Sequence, residues 1–336
     1  MSIIVSNSDS EKLLAIPILE QGTAKNQALM LYETLVQWNI NKSVKALSFD
    51  TTAVNSGHLG GTCVLLERLL EKELLYLPCR HHIFEIILRS IFDNKISCST
   101  GKDVLIFKRF QQAWNNLNKE NFKPHIFDSN IKEMIEPELQ KIIIFVENNL
   151  NTVQPRNDYK EFLELTLIFL GVKSHNSPFF HKPGAIHHAR WMAKAIYSLK
   201  IYLFRDEFKL NSRETQGLRD VCLFLVLVYV DSWFTATSAI AAPYNDLNFV
   251  KKLYNYRLID SEISQIALSK FINHLWYLSP QSMGLAFFDN KIDVNIKRKM
   301  VAQLNSTPSQ TSKRLKLNES DIADFVKKDI EYFSKI

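Results

Sequence analysis

The chain has 336 residues, of which 46% are hydrophobic and 23% are charged, and its net charge at pH 7 is +6. These values are ordinary for a globular protein with a large core and about two domains, and they exclude collagen-like, repetitive and low-complexity chains. The longest apolar run, residues 221–230, is half as long as the roughly 20 residues that a membrane-spanning helix requires, so we expect no membrane partner.

The first part of the chain, up to about residue 95, alternates between strand and helix patterns. Thr23 precedes the first helical pattern and is expected to cap that helix. This alternation predicts a mixed α/β sheet covered by helices. Periodicity predicts strands over 3–5, 13–19, 44–49 and 74–77 and helices over 24–38, 59–72 and 81–92.

Helical periodicity dominates from about residue 96 onward. The segment 107–271 is mostly helical, and its breaks fall at prolines. A polar segment, 305–312, is predicted to be a linker, and 322–333 a short amphipathic helix. We therefore expect a helix-rich α/β fold in which an all-helical region is larger than the strand-containing one.

Positive charge is concentrated near the end of the sequence. Residues 291–336 contain ten Lys or Arg and six Asp or Glu, which gives +4 of the total +6. Basic clusters lie at Lys297-Arg298-Lys299 and at 313–316. Such clusters occur on solvated helix faces, and the functional alternatives are contact with nucleic-acid phosphates and nuclear import.

Cysteine usage indicates the compartment. The four cysteines are few and scattered, and the first residues contain no positively charged and apolar leader, so we expect an intracellular location, with the nucleus as the alternative raised by the basic clusters. The cysteines are Cys63, Cys79, Cys98 and Cys222.

An acid, Asp50, directly follows the strand predicted over 44–49, and hydroxyl, amide and glycine residues follow it. A strand of a buried sheet delivers polar side chains to its carboxyl end in this way, where loops carry function. A carboxylate at this position can bind a hard cation such as Mg²⁺, but one carboxylate is seldom sufficient. Asp50 is therefore a candidate metal ligand that requires partners.

A second dense polar cluster spans residues 77–85. Cys79 and His82 form a Cys-x-x-His pair, which is half of a zinc site, and His187-His188 would be the other half. The absence of a second cysteine pair favours a structural, hydrogen-bonded role. His81 and Glu85 are spaced to share one helix face.

A third cluster lies at 182–194, where Arg190 and Trp191 begin a helical pattern. As a bare pattern it predicts a core helix anchored by a tryptophan. The sequence contains no Ser/His/Asp order, Gly-rich phosphate loop or nucleotide fingerprint.

Together the three clusters resemble the hAT-type transposases and transposase-derived proteins, over about residues 3–305. The resemblance implies an RNase H-like catalytic core interrupted by a long helical insertion. It makes Asp50, with Asn55 after it, the second acid of an Asp/Asp/Glu triad. Cys79 and His82 match the family's Cys-x-x-His motif, and Arg190-Trp191 match its Arg-Trp pair, whose Trp lies near the DNA-processing site in relatives.

The departures from the family pattern predict that catalysis is lost. The chain opens at what resembles the second strand of the family's sheet, so the first strand and its Asp are expected to be missing, and Asp9 is a poor substitute. Gln281 stands where the third acid is expected, and Asp289 is the nearest acid after it. Two Mg²⁺ ions need several carboxylates, so a complete phosphodiester-cutting site is not expected.

The resulting hypothesis is a catalytically inactive, transposase-derived protein that retains a nucleic-acid or protein contact surface, with no cofactor. One alternative is a Mg²⁺-dependent transposase or nuclease whose missing Asp is supplied upstream, and another is a DNA-binding module without catalysis, which would contact phosphates through Lys297, Arg298 and Lys299. Oligomeric state is left open. The predicted divisions are an RNase H-like core over 1–95, a helical insertion over 96–275, a return helix over 276–304, and a linker with a short helix over 305–336.

Overall fold

A computed structural model describes residues 1–7, 10–57, 59–96, 104–172, 179–184, 192–272 and 284–306. Strands and helices alternate in the first part, in the predicted order. Thr23 caps the first helix as expected, because its side chain accepts a hydrogen bond from the backbone N–H of Asn26. The elements are β1 Ile3–Ser6, β2 Glu11–Ala15, α1 Ala24–Gln37, β3 Ala46–Phe49, α2 Ala53–Ser56, α3 Thr62–Leu70, β4 Leu75–Pro78 and α4 Arg80–Ile96.

Several predicted boundaries differ from the structure; the helix predicted over 81–92, for example, spans Arg80–Ile96. The strand predicted to continue to residue 19 ends at Ala15, because Pro17 has no N–H with which to extend the ladder. The carbonyl oxygen of Pro17 instead accepts a hydrogen bond from the amino group of Met1. The helix predicted from residue 59 begins at Thr62, after an N-cap at Gly61.

The strands form two separate pairs within the described residues, rather than the single mixed sheet predicted from the sequence. β1 and β2 pair antiparallel, and β3 and β4 pair in parallel. Each strand is only four or five residues long. Both pairs pack through apolar contacts against the same layer of helices, and no strand among the described residues pairs with both.

That shared layer is α1 and α3, which enclose a small core. Ala28, Leu35 and Leu66 are buried at its centre, and Leu14 of β2 and Leu47 of β3 pack against them. Both strand pairs are therefore held on the same two helices.

Helices form the rest of the described chain. They are α5 Leu105–Ala113, α6 Ser129–Ile135, α7 Leu139–Leu150, α8 Asn157–Phe169, α9 Ala193–Leu203, α10 Ser212–Phe224, α11 Val230–Phe234, α12 Ala242–Tyr256, α13 Ser261–Ile272 and α14 Val294–Ser306, with 3₁₀ turns at Trp114–Asn116, His125–Phe127 and Gly284–Phe288. A π-helical turn, Leu225–Tyr229, joins α10 to α11. No helix in these ranges is long and apolar enough to cross a membrane.

The larger core is aromatic and lies among these helices. Phe107 and Tyr197 stack with ring centroids 4.4 Å apart, for example, and Phe84 meets Phe249 edge to face. The apolar run 221–230 is buried there, as predicted. The buried side of α4 also belongs to this core, so α4 joins the strand-containing part to the helical region. The predicted domain boundary at residue 95 stays a prediction.

Candidate functional site

The carboxyl end of β3 presents Asp50 in a fixed orientation. Oδ1 of Asp50 accepts three hydrogen bonds, from the backbone N of Thr52 at 3.0 Å, from Oγ1 of Thr52 at 2.6 Å and from Nδ2 of Asn55 at 2.9 Å. This turn leads directly into α2. The polar residues after the strand therefore fix one carboxylate oxygen by hydrogen bonds, and Oδ2 is left to contact solvent or a cation.

The same contacts set the charge of Asp50. Partial burial would raise its pKa, but the hydrogen bonds from Thr52 and Asn55 and the nearby His82 outweigh burial and hold the pKa below the ordinary value of 3.8. Asp50 is therefore a carboxylate at neutral pH, as a cation ligand must be.

The parallel pairing of β3 and β4 brings the first two sequence clusters together. Phe49 is in register with Pro78, and the backbone N–H of Cys79 donates to the carbonyl oxygen of Phe49 at 2.7 Å. Asp50 and Cys79 thus follow neighbouring strands at the same edge, the edge at which open α/β sheets place their functional residues.

Cys79 acts as a cap of α4. Its sulfur accepts hydrogen bonds from the backbone N–H groups of His81 and His82. Burial raises the pKa of the Cys79 thiol, and the carboxylate of Asp50 raises it further. These two hydrogen bonds at the start of α4 give the Cys79 sulfur the structural, hydrogen-bonded role that the sequence favours for it.

His81 points toward the helical region. Its Nε2 lies 3.1 Å from the carbonyl oxygen of Trp233, and its ring centroid lies 4.3 Å from that of the Trp233 ring. Burial lowers the pKa of His81, so the ring is neutral and donates through Nε2. Within the described ranges no three His, Cys, Asp or Glu side chains form a group that could hold a metal ion.

Glu85 lies one turn further along α4 and faces the same helical segment. The hydroxyl of Tyr229 donates to Oε1 of Glu85 at 3.3 Å. Burial raises the pKa of Glu85 to about 8, and the Tyr229 hydrogen bond and the charge of Lys194 offset only part of that rise. His81 and Glu85 therefore share one face, as predicted, and Tyr229 contacts Glu85 from the π-helical turn.

A buried ion pair fixes the start of α4. The guanidinium of Arg80 contacts Oδ1 of Asp246 on α12, and both side chains are buried. The guanidinium carbon of Arg80 also lies 5.6 Å from the ring centroid of Phe84. Contacts on the first two turns of α4, at Arg80, His81 and Glu85, thus join the Asp50 edge to the helical region.

Sequence reasoning missed the partners in these contacts. Tyr229, Trp233 and Asp246 lie more than 140 residues from the α4 side chains they meet. The π-helical turn that presents Tyr229 has the same apolar sequence as the α-helix around it. The signal that the sequence offered for Asp246 was an acidic residue at a position where the helical periodicity of this segment predicts an apolar one.

Asp50 and the described side chains around it supply too few charged oxygen ligands for Mg²⁺. Mg²⁺ keeps its waters unless several charges draw it in, and a two-ion site needs further carboxylates. Asp289, the later acid considered from the sequence, is buried, and its Oδ1 accepts from the backbone N–H of Lys291. It does not join Asp50 in any metal-holding group of the described chain.

The predicted basic cluster lies on α14. Arg298 and Lys299 are exposed and Lys297 is half-buried. Nη1 of Arg298 lies 3.3 Å from Oδ1 of Asn295, one turn earlier. The cluster therefore presents at least two cations on the surface of a regular helix.

Several predicted residues lie outside the described part of the chain. These are Asp9, Cys98, His187, His188, Arg190, Trp191, Gln281, the basic cluster 313–316 and the helix predicted over 322–333. Their roles stay predictions.

Comparison of the chain with protein-family models, with curated proteins and with solved structures found no match in any of the three. The function is accordingly inferred from the residues and their geometry.

Proposed function

We propose that this protein is a transposase-derived, RNase H-like chain that does not cleave DNA and acts through a nucleic-acid contact surface in the nucleus. The sequence resemblance supplies the ancestry. The lack of further carboxylates grouped with Asp50 among the described residues supports the proposal that chemistry has been lost.

Asp50 is ionised, and its Oδ1 is held by Thr52 and Asn55. It therefore keeps the orientation expected of a strand-end acid. Its neighbours on the edge are a capping thiol, Cys79, and His82, and the nearby acid, Glu85, is directed into the helical core. One carboxylate beside a thiol and an imidazole is insufficient to position two ions for in-line displacement.

The contact surface we propose is the basic face of α14. Arg298 and Lys299 are exposed on a helix whose Met300 is buried, so the helix is anchored while its cations face outward. Cations on an anchored helix can contact phosphates without reordering of the backbone, and such contacts are independent of base sequence.

The catalytic part is tested with purified protein, Mg²⁺ or Mn²⁺, and hairpin and nicked duplex DNA. We expect no strand cleavage above the background given by the Asp50→Asn variant, which has the same shape and one charge fewer. Metal-dependent cleavage by the wild-type chain that disappears in Asp50→Asn would contradict the proposal. It would instead establish the nuclease or transposase alternative.

The binding part is tested by fluorescence anisotropy with a labelled duplex across a salt series. Replacing Lys297, Arg298 and Lys299 with Gln should lower the slope of log affinity against log salt by up to about 2–3, since each phosphate contact contributes about 0.9. The matched control replaces three exposed lysines on other surfaces with Gln, namely Lys25, Lys42 and Lys132. Equal slopes for the two triple variants, or no binding by wild type, would exclude the α14 surface and leave a protein partner.

A further inference from the structure

A cleft in the helical region lies between α6, α10 and the turn from α12 to α13, and it is separate from the residues around Asp50. Its volume is about 360 Å³. Apolar side chains and two carboxylates line it together, a combination that suits an amphiphilic ligand. Its main lining residues are Met134, Asp220, Leu223, Tyr256, Ile259 and Asp260.

The floor of the cleft contains an unsatisfied hydroxyl. Tyr256 is 3% exposed, and its hydroxyl has no hydrogen-bond partner in the described part of the chain. Leaving such a buried group unpaired costs about 1–3 kcal/mol. Burial, followed by the charges of Asp260 and Asp220, raises the pKa of Tyr256 well above its usual range. The hydroxyl is therefore protonated and lies close to both carboxylates.

The charge around the cleft is negative. Lys95 is the cation shared by three carboxylates, with its Nζ 3.5 Å from Asp220, 2.7 Å from Asp260 and 2.9 Å from Glu262. One positive and three negative charges leave an excess of two negative charges at that corner. Arg219, which also lines the cleft, is neutralised by Asp128 at 2.9 Å.

The carboxylates retain capacity for another donor. Oδ1 of Asp220 accepts one hydrogen bond, from Gln216 at 2.8 Å, and Oδ1 of Asp260 accepts one, from the backbone N–H of Ile263 at 2.9 Å. An ionised carboxylate has about four acceptor positions. A ligand ammonium group can therefore donate to both acids without displacing Lys95.

We propose that this cleft binds a small organic cation, a primary ammonium group on a short alkyl chain. The ammonium group donates to Asp220 and Asp260 and to the oxygen of the Tyr256 hydroxyl. The alkyl chain packs on Leu223, Met134 and Ile259.

The test uses the full chain and isothermal titration with 1,5-diaminopentane, with 1,5-pentanediol as the uncharged probe of the same length. We expect saturable 1:1 binding of the diamine and none of the diol. Asp220→Asn should weaken binding about tenfold or more, and Tyr256→Phe, which removes only the hydroxyl, several-fold.

Matched controls are Tyr254→Phe, on the same helix but not among the residues lining the cleft, and Asp206→Asn, an exposed acid elsewhere. Both should bind the diamine as wild type does. Absence of diamine binding would overturn the proposal, as would affinity unchanged in both Asp220→Asn and Tyr256→Phe, which would mean diffuse association with surface carboxylates. Thermal melts show whether each variant folds. If either Asp220→Asn or Tyr256→Phe does not fold, the diamine affinity of the other variant decides the test.

Discussion

The ion pair between Arg80 and Asp246 provides the sharpest test of how the Asp50 edge is joined to the helical region. Arg80 is 7% exposed and Asp246 is 0% exposed. Replacing Asp246 with Ala leaves the guanidinium buried without its anion. We expect this variant to lose several kcal/mol of stability, because an uncompensated buried charge is far costlier than a missing surface contact.

The magnitude follows from the burial of the pair. Two unit charges about 4 Å apart interact by about 4 kcal/mol at an effective dielectric constant of 20. Breaking a buried pair by removing one partner costs about 3–5 kcal/mol in measured cases. The ring of Phe84, 5.6 Å from the guanidinium carbon, still stabilises the cation. We therefore expect a loss of about 3 kcal/mol for Asp246→Ala, at the lower end of that range.

The assay is urea unfolding at pH 7 followed by tryptophan fluorescence, since Trp233 lies against His81, the neighbour of Arg80. The control is Glu138→Ala, which removes the exposed ion pair between Glu138 (52% exposed) and Lys141 (79% exposed). This variant should lose less than about 1 kcal/mol of stability. The double variant Arg80→Met, Asp246→Leu should recover most of the loss. A cost for Asp246→Ala no larger than that for Glu138→Ala would refute the reasoning.

Three further predictions concern stability. Because the pKa of Glu85 rises from its ordinary 4.5 to about 8 in the folded protein, the folded state binds more protons than the unfolded state between these values, and stability should fall as pH rises through that window. Glu85→Gln should remove this dependence and be about 5 kcal/mol more stable than wild type at pH 9, and an unchanged pH profile in urea unfolding would contradict it. Leu66 is fully buried at the centre of the small core, and Leu66→Ala should lower the free energy of unfolding by about 2–5 kcal/mol. It should speed hydrogen exchange in α1 and α3 but not in α10, and equal acceleration in all three helices would contradict a separate core. Gly217→Ala places a Cβ 2.4 Å from the carbonyl oxygen of Lys95 and should cost about 1–3 kcal/mol in a thermal melt, because it forces α10 away from α4. Gly22→Ala, with open space around it, should be nearly neutral in the same measurement.

Local patterns in the sequence predict the elements and the edge well. Two-residue and 3.6-residue periodicities specify the order of β1 to α4, and the N-cap at Thr23 follows from hydroxyl chemistry. The parallel βαβ arrangement brings Asp50 beside Cys79, because both strands end at the same edge. These features depend on contacts within about 30 residues of sequence.

What the sequence could not specify depends on distant contacts. Cys79 looks like a zinc ligand by spacing, yet its sulfur is committed to the backbone of α4. Asp246 and Tyr229 acquire their roles only when α12 and the π-helical turn pack on α4. The pairing of four short strands into two ladders also depends on helix packing at Leu14 and Leu47, which strand periodicity does not encode.

The most direct measurement of the central claim, that Asp50 lacks the partners of a two-ion site, is a Mn²⁺ titration followed by electron paramagnetic resonance. The account predicts weak binding, with a dissociation constant on the order of millimolar or higher and no signal from two coupled ions. Asp50→Asn should then remove what little specific binding exists. A coupled two-Mn²⁺ signal at micromolar metal that disappears in Asp50→Asn would contradict the account and establish a complete metal site.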